Sequence, residues 1–486
     1  MMKTRLRGRY VIGFDEQKGT HVIIDDGEVV YEDNRILFVG KHYPGQVDRE
    51  VDATECIISP GLINGHALMD VSIYQYGFDR PQEKGYHRPR AWTEDPSETE
   101  IFTPREIQQG ADLSFLNFAR SGCTTVLGIT SMVFKRWDDP EWEPEIYLQA
   151  AVKHGLRAYL SHHYRARAPY SGTDGRKEFL LDEDRGQRGL ERCIAFIKKY
   201  DGAFGGRIGG TLFPYTLDQS TPELLKATAK AAEDLDVPIR MHTAQSRGEM
   251  EFLKAEYGKD PIEYLKSLDV LSPRWLLTHS LFVAGNHPGT SAADLEVMAR
   301  HGVSVANCPW IYSFRGEYLN SLSRYQQAGV NMLVGTDTFP QDLFREMRWA
   351  AMMAKTAEGS PVAGQSREVF DAVTVNAARY LGRDDLGVLK PGAKADLVLI
   401  DTERFSMGPT EDPIRSLVYF ATAADVKTVI VDGDVIVDDY ESLRVDEARV
   451  VRESQGVSDK VRDTLAGWQD PQKPPREIYT PTYPRI

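Results

Sequence analysis

Five histidines and one aspartate carry the first chemical signal in this chain. His66, His162, His163, His242 and His279 each fall at the end of a short apolar run, as does Asp337 in NMLVGTD. Imidazole nitrogens and carboxylate oxygens are the usual protein ligands of first-row divalent metals. Only eleven histidines occur in 486 residues, so five at equivalent positions point to a metal site. Each residue alone has a plainer reading. A strand-end histidine can be a hydrogen-bonded core residue, and an aspartate after Gly-Thr can cap a helix by accepting backbone N–H groups. The set, spread over separate strands, favours coordination.

Residues so far apart meet only if the chain lays those apolar runs side by side. Eight such runs occur: CIISPGLINGH, TTVLGITS, LRAYLSHHY, RIGGTLFPYT, VPIRMHT, RWLLTHS, VSVANCPW and NMLVGTD. Amphipathic stretches such as TPELLKATAKAAEDLD and SAADLEVMARHG lie between them, the alternation expected of parallel βαβ units. The prediction is an α/β fold with a (β/α)8 TIM barrel over residues 57–389, whose reactive groups gather at the C-terminal strand ends. A doubly wound sheet is the alternative, but no GxGxxG follows the first strand.

The chain ends read differently. THVIIDDGEVVYEDNRILFVG, ADLVLIDTERF and DVKTVIVDGDVIVDD are short strands broken by Gly and Asp turns. They predict a small β-sandwich domain formed by both chain ends, residues 1–56 and 390–445. The charged, Pro-rich tail, residues 446–486, is expected to drape over a surface. Residues 74–100, rich in Tyr, Arg and Pro, are long for a βα loop and read as a lid.

Composition narrows the classes further. Hydrophobic residues make up 41% and charged residues 27%, the balance of a globular enzyme. A formal net charge of −14 opposes binding to nucleic acid or anionic membranes. The four cysteines form no CxxC pair, which favours reduced thiols over a disulfide or zinc knuckle. Neither a signal peptide nor an apolar run long enough to span a bilayer is present in this sequence, so the expected location is cytoplasmic.

In order, SPGLINGH, RMHTAQSRGE, LLTHS, VANCPW, LVGTD and VTVNAARYLGRDDLGVLKPGAKADLVLID resemble the amidohydrolase superfamily. The likeness runs over about residues 36–438. Within the superfamily it is nearest to the cytosine deaminase, guanine deaminase and triazine hydrolase branch, with a further similarity to phenylurea- and thiocarbamate-herbicide hydrolases. The resemblance implies that His66, His242 and Asp337 ligate one divalent transition metal, zinc with iron, manganese or cobalt as alternatives. It implies that His279 faces the activated water or the substrate, and that the protein is a homo-oligomer. Two imidazoles and a carboxylate leave a position open for water. Asp337 and His279 are then the catalytic candidates, Asp337 moving the proton and His279 holding the developing oxyanion.

Two departures from the family pattern shape the functional reading. The first strand usually ends His-x-His, but this chain has His66-Ala67-Leu68. His162 and His163 are the replacement candidates, with substrate binding or packing as their other roles; strand alternation lets only one point inward, His163 if Ala158 and Leu160 face the helices. The second departure is Gln245, where deaminases of the branch carry a glutamate three residues after the histidine. Glu249 could substitute, or else face solvent or cap a helix. The fourth run has no lysine, which argues against a carbamylated bridge between two metals. Gln245, His163 and Trp310 are the substrate-binding candidates, and Phe213, Tyr215 and Tyr312 are further aromatics near strand ends. The resulting expectation is a metal-dependent hydrolase cleaving a C–N bond of a small, aromatic amide, urea or carbamate. An aminohydrolase or dehalogenase of a purine, pyrimidine or triazine ring is the alternative. A non-catalytic scaffold of the same fold is the second alternative.

Overall fold

Both ends of the chain are drawn into one sheet. The computed structural model describes residues 2–70, 88–95, 100–287, 289–313 and 315–484. Most of the segment read as a lid, residues 74–87 and 96–99, lies outside the described residues. The N-terminal end supplies strands Lys3–Asp15, Thr20–Glu32, Arg35–Gly40 and Arg49–Pro60. The C-terminal end supplies Leu397–Asp401, Val426–Val431, Asp434–Asp438 and Glu441–Ser442. They form a single eight-stranded sheet, with Leu397–Asp401 antiparallel to Arg49–Pro60 where the two ends meet. Asp432 and Gly433 turn the chain at φ 53° and 84°. Positive φ at both positions is what the tightest hairpin turn demands, and Asp-Gly accommodates it. The sheet packs around its own core, which includes Leu6, Val11, Ile36, Ile58, Leu397 and Ile430. The sandwich expected of the two ends thus takes the form of one continuous hydrogen-bonded sheet.

Eight further strands position the chemistry. They are β1 (Leu62–Leu68), β2 (Cys123–Ile129), β3 (Arg157–Leu160), β4 (Ile208–Gly210), β5 (Ile239–Thr243), β6 (Trp275–His279), β7 (Ser304–Asn307) and β8 (Asn331–Val334). All pair in parallel, in two four-stranded sheets ordered β4-β3-β2-β1 and β5-β6-β7-β8. The sheets touch at both seams through isolated bridges, Ala67 with Asp337 and Leu212 with Ile239. Every residue of β5 and β6 is buried, as expected of parallel strands covered on both faces.

Helices follow the strands and begin where the sequence caps them. Thr103 and Glu106 cap each other's backbone at the start of Pro104–Arg120. Thr221 caps Pro222–Leu235, and the second predicted stretch folds as Ala293–Arg300. The tail is more regular than its composition suggests: Glu447–Gln469 is a 23-residue helix. It lies across Pro104–Arg120 through Arg120–Glu447 (3.0 Å) and Lys460–Glu106 (2.8 Å). Trp468 packs on Trp92 and Phe134. Among the described residues no helix is long and apolar enough to cross a membrane. The four cysteines are buried and free.

Candidate metal centre

Four side chains converge at the C-terminal ends of the strands. His66 lies in β1, His242 in β5, His279 ends β6, and Asp337 follows β8. One ligand atom from each lies within 4.8 Å of the others. The His66 ring meets His242 edge-on at 4.9 Å and His279 at 5.3 Å, while His242 stacks on His279 at 5.4 Å. His66 Nε2 is 3.6 Å from Asp337 Oδ1. All four residues are buried, Asp337 being the most exposed at 9%.

The backbone around them is fixed by close approach and local strain. The pairing of β1 with β2 shifts register between Asn64 and Ala67, an irregularity of the kind that re-aims side chains next to active sites. The Asn64 amide donates to Thr336 Oγ1 (2.9 Å) and accepts from the backbone N–H of Thr336 (3.2 Å) and of His66 (3.3 Å), clamping β1 to the end of β8. Gly335 allows that approach, because a Cβ there would stand 2.6 Å from both the backbone nitrogen and oxygen of His66. Ala244, His279, Ser280 and Asp337 have φ of 49°, 76°, 48° and 54°. Non-glycine residues in this region cost ~1–3 kcal/mol each and persist where surrounding structure imposes them.

Hydrogen bonding and burial set the protonation of the rings. His242 Nδ1 donates to the Tyr215 carbonyl (2.8 Å); a carbonyl only accepts, so His242 Nε2 keeps a bare lone pair in the neutral ring. His66 Nδ1 lies 3.3 Å from Thr278 Oγ1. His66 Nε2 and His279 Nδ1 are buried without a hydrogen-bond partner. Burial pushes the pKa of His66 and His279 well below the ordinary value and that of His242 down to about 4. Neutral imidazoles are the form that ligates a metal. Orphaned ring nitrogens beside a carboxylate fit a divalent ion.

The remaining sequence candidates divide. Gln245 stands beside the centre: Tyr312 Oη donates to its Oε1 (3.3 Å), and the Tyr312 ring meets His279 at 4.6 Å. Glu249 is buried and accepts the backbone N–H of Ala244 (3.1 Å) and Gln245 (2.9 Å). It therefore pins the turn that precedes helix Arg247–Tyr257, whose start Ser246 caps, and burial raises its pKa to about 8. Trp310 is not brought into the cluster; its ring meets Trp349 at 5.7 Å and the Arg345 guanidinium at 4.5 Å. His162 packs on Phe196 (5.7 Å), whereas His163 turns onto Phe213 (4.3 Å) and Tyr215 (6.5 Å). Neither joins the donor cluster, whose fourth member is His279. Asn64 and Gly335 went unnoticed in the sequence although both flank predicted site residues. Asp139, the partner of His163 at 2.6 Å, lies in an irregular stretch with no sequence signal.

Residues 57–436 match the amidohydrolase family, and the chain belongs to it. The protein is a metal-dependent hydrolase of carbon–nitrogen bonds. It is 30% identical over 474 residues to the 5-methylthioadenosine/S-adenosylhomocysteine deaminase of Desulforudis audaxviator, covering 96% of this chain and 100% of that protein. An adenosine deaminase from Xanthomonas campestris with bound zinc superimposes with a TM-score of 0.78 at 21% identity, covering 94% of this chain and 98% of that one. A triazine hydrolase from Arthrobacter aurescens gives 0.78 at 22%, covering 94% and 100%. These structures share the fold, a (β/α)8 barrel with an additional domain. The sequence relative is a deaminase of adenosine derivatives rather than a member of the branch that the motifs resemble, and the triazine hydrolase is a neighbour in fold.

Proposed function

We propose that the protein uses one zinc ion to hydrolyse an exocyclic C–N bond in a small aromatic amide, urea or carbamate. His66, His242 and Asp337 would hold the ion, with His279 beside it. When bound, such an ion lowers the pKa of a water to about 7 and polarises the scissile carbonyl. The Asp337 carboxylate takes the proton of the attacking water and returns it to the leaving nitrogen. His279, a neutral ring at the same centre, hydrogen-bonds the oxygen on which charge develops.

Gln245 carries the choice of reaction. Adding water to a purine or pyrimidine ring needs a group that protonates the ring nitrogen, and a carboxamide has no such proton at neutral pH. Glu249, the nearby carboxyl, is occupied by the backbone N–H groups of Ala244 and Gln245. Amide and carbamate hydrolysis is less demanding, because the charge falls on a carbonyl oxygen. The test is a panel of anilides, phenylureas and phenylcarbamates assayed for amine and acid products, beside ammonia release from adenosine derivatives and cytosine. Turnover within the first set supports the proposal, and efficient ammonia release from the second refutes it.

A second reading, ring deamination, is favoured by the sequence relatives, which deaminate adenosine derivatives. A metal-free scaffold fits poorly, since barrel packing alone gives no reason to bury three neutral imidazoles around a carboxylate. We also infer that the two four-stranded sheets close into one barrel over residues 57–389. Residues 1–56 and 390–445 then form the small β domain, and residues 446–486 a strap. A cytoplasmic homo-oligomer belongs to the same reading, to be checked by sedimentation and cell fractionation.

A further inference from the structure

His163 belongs to a buried hydrogen-bonded triad outside the donor cluster. Its Nδ1 lies 2.6 Å from Asp139 Oδ2 and 2.8 Å from Thr130 Oγ1. Thr130 Oγ1 donates to Asp139 Oδ1 (2.8 Å), and the His163 backbone N–H donates to Asp139 Oδ2 (2.8 Å). Thr130, Asp139 and His163 are all fully buried. Although burial opposes ionisation of Asp139, the interactions with His163 and Lys135 hold its carboxyl well below the usual range. As a carboxylate it only accepts, and the Thr130 proton is committed to it. Both groups therefore present lone pairs to Nδ1, which must carry the ring proton. Burial outweighs the pull of Asp139 and keeps the ring neutral near pH 7.

The consequence is a fixed tautomer with a bare lone pair on Nε2. That atom is buried and has no hydrogen-bond partner. A buried acceptor without a donor is costly, so a site that keeps one has a use for it. Its position suggests which. The His163 ring meets Phe213 edge-on at 4.3 Å, and the other side of the contact chain, Phe213 to His242, is 5.4 Å. Tyr215 bridges the same pair of histidines at 6.5 Å and 4.9 Å. The acceptor thus stands one aromatic ring away from the metal centre.

We propose that His163 Nε2 accepts a hydrogen bond from an N–H or O–H of the substrate, and so selects substrates carrying a donor beside the scissile bond. Asp139 and Thr130 are positioning residues that fix the tautomer. The proposal rests on reading the centre as a C–N hydrolase and names its substrate class more narrowly: secondary anilides, ureas and carbamates rather than their N-alkylated counterparts, which present a methyl group to the same lone pair.

The test compares methyl N-phenylcarbamate with methyl N-methyl-N-phenylcarbamate on the metal-loaded full-length enzyme. The variants are His163→Leu, His163→Gln and Asp139→Asn, with metal content measured for each. His163→Leu is expected to lower kcat/KM for the N–H ester about 10- to 100-fold and to leave the N-methyl ester within about 3-fold. His163→Gln, whose amide oxygen can accept, retains most of the discrimination. Asp139→Asn can donate to Nδ1 and move the ring proton to Nε2, so it loses discrimination with the metal retained. Equal losses on both esters, or equal losses in the Leu and Gln variants, overturn the proposal. Loss of metal from the His163 variants also overturns it, because His163 is then a ligand. Should both carbamates be inert while 5′-deoxyadenosine is deaminated, the C–N reading of the reaction fails on its own. His163 is then judged on that nucleoside, where loss in Leu restored in Gln supports the proposal and equal loss refutes it.

Discussion

Replacing Gly335 by alanine drives a methyl group into the backbone of a metal-ligand candidate. The new Cβ would lie 2.6 Å from the nitrogen and oxygen of His66 and 3.0 Å from its Cα. Comfortable contact between such atoms is about 3.5 Å, so β1 and β8 must part by up to ~1 Å at this point. The barrier is steric, since Gly335 is not among the residues with positive φ. Overpacking of this kind costs ~1–3 kcal/mol, while metal–ligand distances tolerate only ~0.2 Å of change. If the strain falls on the metal-bound state, affinity for the ion drops by roughly 5- to 150-fold at 1.4 kcal/mol per decade. Competition titration with a chromogenic chelator reads this directly, and kcat/KM should fall with it. Gly456→Ala is the control: a Cβ there meets nothing within 4 Å, and it sits within the helix Glu447–Gln469. Wild-type metal affinity in Gly335→Ala would refute the idea that this close approach positions His66.

Three further outcomes are expected. His279→Ala should lose at least about 100-fold in turnover with the ion retained, since its part is to hold charge; loss of the ion would instead make it the ligand that compensates for Leu68. Glu249→Gln should keep turnover within about 3-fold, because its amide oxygen can still accept one of the two backbone N–H groups, of Ala244 or Gln245, that the carboxyl holds; a collapse of activity would identify Glu249 as a proton carrier and favour deamination. Burial lowers the pKa of His21 and His162 from 6.5 to about 4. The unfolded chain therefore binds more protons between those values, and the stabilisation present above pH 6.5 is lost as pH falls toward 4, by up to ~3 kcal/mol per group. Denaturant melts at pH 7 and 4.5 should show a smaller difference for His21→Asn than for the wild type; an unchanged difference contradicts the assignment.

The parts of this structure that follow a simple period were readable from the residues. Each of the eight parallel strands is an apolar run ending in a turn, so the placement of His66, His242, His279 and Asp337 at one end of the sheets followed from their positions in those runs. Alternation along the third run also separates His163 from His162, which face Phe213 and Phe196 respectively. Glu249 neither faces solvent nor caps its helix: it is buried on the backbone N–H groups of Ala244 and Gln245, a contact with the preceding turn that no helical period foretells. Legibility ended where the chain leaves the regular period. Trp310 and Tyr312 sit on the short helix Pro309–Ser313, whose turn sends Tyr312 to His279 and Trp310 to Arg345. The tail helix hid because its buried face is only Val450, Ser454, Val457, Val461 and Ala466 in a charged background. The Thr130–Asp139–His163 triad joins two residues of the connection after Cys123–Ile129 to the short strand His163–Tyr164, and no local pattern foretells such a meeting.

Metal content is the most direct check on the centre itself. Wild-type protein and Asp337→Asn, both purified from zinc-supplemented cultures, can be compared by elemental analysis and assayed in parallel. The expected result is about one divalent ion per wild-type chain, with occupancy and turnover lost together in the variant. A wild-type protein that hydrolyses substrate without bound metal, or an Asp337→Asn variant with full occupancy, would contradict the assignment of His66, His242 and Asp337 as the ligands of a catalytic ion.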